Sequence, residues 1–361
     1  MNYISKINKC TECRTCENYC SIFLSTGKYA PHEKLKISKL ILLVSEKPEN
    51  WETIFYCTKC EACDIVCPEN IPITKIIDEA RYECVKKWGV QFQRQLKLTE
   101  NIFKTGNPFG SERPRFEWLK NPINKSSKTL LHLGCMISYK YPEMGKNVIA
   151  ILDELGIDYT ISPNERCCGY FIYNTGNHDA ALKLIKENKK ELKKYKKIIT
   201  ACAGCTIFFK INYGLGNKVH HIIEIVDKSI RNTELKSMDN SSKKAIFHDS
   251  CHISRPFDIL KQPRNILKKL GYNNENNNFI EFDLTGKFGT CCGADGGMRI
   301  VNKDLSLKVG MDRVLEASNK ADILFTMCPF CINNFREVAK DNNIKIEIKD
   351  IFEELRKALC E

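Results

Sequence analysis

The spacing of the cysteines limits this chain more than any other feature. Eighteen of its twenty cysteines fall into four sets. Two sets are runs of four, Cys10-x2-Cys13-x2-Cys16-x3-Cys20 and Cys57-x2-Cys60-x2-Cys63-x3-Cys67-Pro68. Two are sets of five with an adjacent pair before a glycine: Cys135, Cys167, Cys168, Cys202 and Cys205, then Cys251, Cys291, Cys292, Cys328 and Cys331. Cys84 and Cys360 are left over, the first read as packed on a helix and the second as inert at the chain end.

The stretch from Met1 to Cys10 has no apolar signal region, and the longest purely apolar run is Leu40 to Val44, far too short to cross a bilayer. The reading is cytoplasmic, with no direct membrane insertion and any membrane contact made through a partner. That compartment keeps thiols reduced, so metal binding is favoured over disulfides.

The runs of four carry ferredoxin spacing. Three thiolates of such a run wrap one cubane and the fourth projects away to the neighbouring cluster. This assigns Cys10, Cys13, Cys16 and Cys67 to one [4Fe–4S] cluster and Cys20, Cys57, Cys60 and Cys63 to a second. Ser21 stands where a proline is expected after Cys20. Zinc, the alternative, is usually held by separated Cys-x-x-Cys pairs. The sets of five exceed what one tetrahedral zinc takes, whereas a larger iron–sulfur core can use them. A vicinal disulfide at Cys167–Cys168 is the other option, but it does not explain why the set occurs twice. Glycine after each pair is expected to let the backbone approach a cluster closely.

The second part of the chain is an internal repeat. Lys128 to Cys135 matches Lys244 to Cys251, Leu152–Gly156 matches Leu267–Gly271, Cys167–Gly169 matches Cys291–Gly293, and Ile198–Cys202 matches Leu324–Cys328. Short apolar strands ending on cysteines alternate with helical stretches such as Asp179 to Tyr195 and Lys303 to Ser318, a pattern for α/β units with a mainly parallel sheet. Ligand sites then collect at the carboxyl ends of the strands. The expected architecture is α+β and multidomain: a helical two-cluster ferredoxin-type domain over 1–88, a connector over 89–128, and two tandem cysteine-rich α/β domains over 129–235 and 243–361. Within the first domain, Leu35 to Val44 reads as a short buried helix and Ile73 to Trp88 as a second helix after Pro72. In the connector, Gly106–Gly110 is turn chemistry and Asn121 to Ser127 reads as a loop.

The formal charge is +12. Cluster-ligating thiolates reduce that excess. Lysine runs such as Lys183 to Lys197 read as solvated helix faces, and with no nucleic-acid-binding motif a nucleic-acid partner is excluded. No flavin or nicotinamide fingerprint is present, so a partner has to supply or accept electrons.

Taken together, the motifs resemble the fused iron–sulfur and CCG-domain subunits of heterodisulfide reductase, the D-type subunit. The resemblance includes Asn107-Pro108-Phe109-Gly110, His248-Asp249-Ser250-Cys251-His252, Cys291-Cys292-Gly293-Ala294-Asp295-Gly296-Gly297 and Cys328-Pro329-Phe330-Cys331. It implies a noncubane [4Fe–4S] cluster on each set of five cysteines, two in all. It also implies a coenzyme M–coenzyme B disulfide bound between them, and N-terminal cubanes that deliver electrons. The donor would be a flavin- or cytochrome-containing subunit, or a ferredoxin. Related chains serve as electron-transfer subunits of flavin-dependent glycerol-3-phosphate, glycolate and lactate dehydrogenases, which is the second implied reading. For an anionic disulfide, Arg166, Arg255 and Arg299 are candidate contacts, each near a cluster cysteine, with surface salt bridges as the alternative. His248 and His252 flank Cys251 and are candidates for proton donation or for hydrogen bonding to sulfur.

Overall fold

The computed structural model describes residues 3–119, 126–236, 243–273, 275 and 277–360. Residues 121–125 of the expected connector loop lie outside these.

The first part is helical. Pro31–Leu43 and Ile73–Trp88 pack against each other, and Leu35, Ile41, Ile54, Phe55, Ile76, Ile77 and Ala80 form a small core between them. Pro31 opens the first helix at a position whose amide needs no partner. Gly89, at φ +59°, ends the second. The expected buried helix is only half buried. Leu40, Leu43 and Val44 are exposed, because a helix with apolar residues all along its sequence still turns one face outward.

The connector contains a helix that the sequence reading did not anticipate, Gln93–Thr105. Gln95 and Ile102 are its buried residues. Gly106, at φ +76°, closes it, and Asn107 organises the turn that follows. The Asn107 side-chain oxygen accepts from the amides of Phe109 at 3.0 Å and Ser111 at 3.1 Å.

The two cysteine-rich halves are parallel α/β units. In the first, β1 (Thr129–His132), β2 (Lys197–Thr200) and β3 (Val219–His221) lie in the order β1-β2-β3. In the second, β4 (Ala245–Phe247), β5 (Phe279–Ile280), β6 (Ile323–Thr326) and β7 (Glu347–Asp350) lie in the order β5-β4-β6-β7. Every pairing among these strands is parallel, with Leu130 opposite Ile198 in one sheet and Ile246 opposite Leu324 in the other. The repeat extends to side chains. His132 meets Phe209 edge-on at 4.8 Å between ring centres, and His248 meets Phe335 in the same way at 4.8 Å.

The halves share one core. Leu131, Val148 and Ile223 of the first belong to the same apolar cluster as Phe247, Leu324 and Leu355 of the second. The last helix, Ile351–Cys360, packs on Pro142–Glu154 of the first half. The helical domain is tied to both by Arg81, which is fully buried. Its guanidinium donates to the carbonyls of Ile54, Cys57, Asn174 and Gly296 at 2.6–3.0 Å. Among the described residues no helix is long and apolar enough to cross a membrane.

Candidate functional site

The strand ends explain why the closing Cys-x-x-Cys of each five-cysteine set is spaced as it is. Cys202 caps the Ala203–Ile211 helix and Cys328 caps the Pro329–Asp341 helix, each two residues past a strand. Cys205 and Cys331 fall three positions later, in the same first turn. Cap and third helical residue both face the open amides at a helix start, so a Cys-x-x-Cys there turns two sulfurs toward the positive end of the helix dipole. Cys135 and Cys251 likewise begin short helices, Cys135–Tyr139 and Cys251–Phe257.

The ten cysteines of the two sets are all buried. In the first set, Cys135 Sγ lies 3.8 Å from Cys167 Sγ, and Cys168 Sγ lies 3.5 Å from Cys205 Sγ. Each member of the adjacent pair reaches a further cysteine while the two also interact with each other, and no disulfide joins them; all twenty cysteines are free thiols. Hydrogen bonding to the neighbouring sulfurs, together with burial, pushes the Cys135 and Cys205 thiols well up, whereas hydrogen bonds from Cys167 and Cys205 hold Cys168 down. In the second set, Cys292 and Cys331 converge with His248, and Cys251 with His252 and Asp295, their ligand atoms all within 4.8 Å in each group.

The glycines after the pairs are held in crowded turns. A Cβ on Gly169 would meet Leu184 at 2.9 Å, and one on Gly293 would meet the Ser306 carbonyl at 2.3 Å. Their φ angles are +89° and +86°. They permit a left-handed turn pressed against a helix, and the Gly293 amide also reaches sulfur, donating to Cys291 Sγ at 3.4 Å. Gly134 approaches sulfur too: its Cβ would sit 3.2 Å from Cys205 Sγ.

In the helical domain Cys10, Cys13, Cys16 and Cys67 line one small cavity, and Cys20, Cys57, Cys60 and Cys63 line another. The two runs repeat an unusual backbone. Glu12 and Arg14 flank Cys13 with positive φ, as Lys59 and Glu61 flank Cys60. Such alternation turns successive amides inward, a concavity suited to anionic sulfur; the Lys59 amide donates to Cys57 Sγ at 3.4 Å. Burial pushes the Cys16 and Cys60 thiols up to about 12. Metal-free thiols held this way keep their protons, and a bound metal replaces them with positive charge. Convergent, disulfide-free, all-cysteine donor sets fit iron–sulfur clusters.

The second cavity abuts the second five-cysteine set. The Cys291 amide donates to Ser21 Oγ at 2.6 Å, and Arg255 donates to the Cys60 carbonyl at 2.7 Å. Ser21 departs from the expected proline, and its hydroxyl forms this junction.

The sequence-selected polar residues are distributed as follows. Arg166 pairs with Glu187 at 3.1 Å and donates to the carbonyls of Ile102 and Phe103, anchoring the connector helix. Arg255 is spent on the carbonyls of Lys287, Cys60 and Gly289. Arg299 borders a cavity, but its guanidinium is held by Asn334 and Glu337. His252 sits between Tyr170 Oη, 2.7 Å from Nε2, and Asp295, 3.1 Å from Nδ1, with Cys251 Sγ 3.7 Å away. His248 is buried, which pulls its pKa down to about 3 and keeps it neutral.

Tyr170 and Asp295 went unselected in the sequence, though each follows a Cys-Cys-Gly directly or by one residue. Together with His252 they form a buried polar chain from one half to the other. A cavity of about 400 Å³ is lined by residues close in sequence to both five-cysteine sets, and by no cysteine among the described residues. Met136 (after Cys135), Phe171, Ala294 and Phe330 (between Cys328 and Cys331) line it, together with Arg94, Lys97 and Lys140. The last three were not legible as site residues, because two lie on a helix that the sequence did not announce and none adjoins a cysteine.

Comparison with known proteins agrees with this geometry. Residues 6–71 match the 4Fe-4S dicluster domain family, and residues 129–210 and 245–336 each match the cysteine-rich domain family CCG. The chain is 28% identical to the D-type subunit of the dihydromethanophenazine:CoB–CoM heterodisulfide reductase of Methanosarcina acetivorans, over 99% of this chain and 95% of that protein. It is 26% identical to the B-type subunit of the fumarate reductase (CoM/CoB) of Methanothermobacter marburgensis, over 96% of this chain and 71% of that one. It is 29% identical to the EtfAB:quinone oxidoreductase of Syntrophomonas wolfei, over 85% of this chain and 47% of that one.

Proposed function

Because the chain belongs to the CCG-domain iron–sulfur proteins with an N-terminal 4Fe-4S dicluster domain, we propose that it is an oxidoreductase subunit that reduces a disulfide between its two CCG sites. The coenzyme M–coenzyme B heterodisulfide is the substrate this reading names, after the relative that shares nearly its whole length. The observation that carries it is the cavity bordered by residues adjoining both five-cysteine sets.

The reaction takes two electrons and two protons: the S–S bond breaks and two thiols form. Cys10, Cys13, Cys16 and Cys67 would hold one cubane cluster and Cys20, Cys57, Cys60 and Cys63 a second, with Ser21 and Arg255 joining the second four-cysteine cavity to the second five-cysteine set. Cys135, Cys167, Cys168, Cys202 and Cys205 would hold one noncubane cluster, and Cys251, Cys291, Cys292, Cys328 and Cys331 the other. Such clusters, when bound, would supply one-electron chemistry. Phe171 and Phe330, edge-on at 5.1 Å, give the cavity an apolar floor. Tyr170 and Asp295 hold the His252 ring beside Cys251 Sγ, where the imidazole hydrogen-bonds sulfur. The electrons come from a partner protein.

A second reading, an electron-relay subunit of a flavin-dependent dehydrogenase, is favoured by the likeness to the EtfAB:quinone oxidoreductase. One assay separates the two. The cluster-loaded complex, reduced by a dye, is given the heterodisulfide, and released thiol is titrated. The proposal expects two thiols per disulfide; dye oxidation by an alternative acceptor with no thiol release leaves only the relay.

A further inference from the structure

The same cavity is positively charged on one wall. Four of its lining side chains are cationic, Arg94, Lys97, Lys140 and Arg299, and none is a carboxylate. Arg299 is neutralised by Glu337. Arg94 and Lys97 pair with no carboxylate among the described residues. The Lys140 ammonium is bonded to the Asn333 amide oxygen, and partial burial lowers its pKa. Three cations thus border an apolar-floored cavity without a matching anion from the protein.

Two of them lie on the connector helix. Arg94, Lys97, Leu98 and Asn101 follow at intervals of three, one and three, so they form one helix face, and all four line the cavity. The opposite side of the helix is fixed to the first CCG half. Gln95 donates to the Thr175 carbonyl at 3.1 Å, Arg166 donates to the carbonyls of Ile102 and Phe103, and the Cys167 amide donates to the Gly106 carbonyl at 2.7 Å. The cationic face is therefore held in position before any ligand arrives.

We infer that the Gln93–Thr105 helix is the selectivity element of this cavity, with Arg94 and Lys97, assisted by Lys140, binding an anionic end group of the substrate. The class of ligand is an extended organosulfur compound with a sulfonate, phosphate or carboxylate at its end and an apolar or sulfur-containing middle against Met136, Phe171 and Phe330. The inference rests on the disulfide reading for the identity of the middle, but the anion site stands on the lining alone.

The test is calorimetric titration of the oxidised, cluster-loaded protein with three probes. These are the symmetric disulfide of 2-mercaptoethanesulfonate, the uncleavable thioether of the same shape and charge, and the neutral bis(2-hydroxyethyl) disulfide. Both dianions are expected to bind about tenfold or more tighter than the neutral disulfide, and to weaken at high salt. The R94Q/K97Q variant is expected to lose about tenfold in dianion affinity and nothing for the neutral probe, with unchanged iron content. The K104Q variant, altered on the same helix where Lys104 pairs with Glu112, keeps full affinity. Equal binding of charged and neutral probes, or an unaltered R94Q/K97Q, overturns the inference. Binding of the thioether dianion, with no thiol released when the dye-reduced complex is given the disulfide, upholds the anion site and removes the disulfide-reduction reading.

Discussion

At the residue scale, Ser21 shows how a small departure from a motif carries structural information. Proline is tolerated at the first position of a helix, and Ser21 occupies that position in Ser21–Thr26. S21P therefore restores the common motif, keeps the helix start, and removes only the acceptor of the Cys291 amide. A buried amide left unpaired costs about 1–3 kcal/mol. Thermal unfolding is expected to show that loss for S21P and for S21A alike; a variant as stable as the parent means the bond contributes nothing. Asp350 gives a pH-dependent case. Burial raises its carboxyl to about 7, above the unfolded value of about 4. The folded state then binds the extra proton, so stability falls as pH rises from about 4 through 7. D350N, which keeps an acceptor for the Phe352 amide, is expected to exceed the parent in stability at pH 8 and to match it near pH 4. A constant difference across denaturant melts at both pH values contradicts this. The grouping of the first eight cysteines was legible in the sequence: spacing puts Cys10, Cys13, Cys16 and Cys67 together and Cys20, Cys57, Cys60 and Cys63 together, and each four lines one cavity. The arginines were not. Proximity in sequence to a cysteine does not say whether a guanidinium faces a cavity, and Arg166 and Arg255 are turned to backbone carbonyls instead.

At the scale of elements, the internal repeat made the two parallel sheets and their long helices readable. His178–Leu192 and Lys303–Lys320 begin and end within a few residues of where periodicity put them. The connector helix was missed for a physical reason. Its start carries no capping signal, since Phe92 rather than Ser, Thr, Asp or Asn stands at the N-cap, and only Gln95 and Ile102 are buried. The Cys-Cys-Gly glycines meet two demands that sequence does not separate, a left-handed turn and a backbone amide near sulfur. G293A tests the crowding of that turn. Its Cβ has to displace the Ser306 carbonyl at a φ of +86°. A loss of about 2 kcal/mol or more in stability is expected, measured by chemical denaturation, together with loss of metal at the Cys251 site. A variant with normal stability and metal content contradicts the packing account.

At the scale of the whole molecule, three units are joined so that the second four-cysteine cavity faces the second CCG set. Arg81 is central to that joint, and close approach there depends on glycine: a Cβ on Gly176 would lie 2.5 Å from the Arg81 carbonyl, and one on Gly296 would lie 2.4 Å from the Thr58 backbone. R81M leaves buried carbonyls of Ile54, Cys57, Asn174 and Gly296 without their donor, a loss of about 3 kcal/mol or more. The helical domain of R81M is expected to become sensitive to limited proteolysis while the CCG core resists; uniform resistance contradicts the joint. None of this was visible in the sequence, since a lone arginine on a helix carries no mark of its partners in distant segments. The central claim is that all four cysteine sets hold iron–sulfur clusters. Its most direct measurement is the iron, acid-labile sulfide and zinc content of anaerobically purified protein. Four [4Fe–4S] clusters require about sixteen irons and about sixteen sulfides per chain, with negligible zinc. Stoichiometric zinc without labile sulfide contradicts the account outright, and about eight irons confined to the first 88 residues contradict it for the CCG sites.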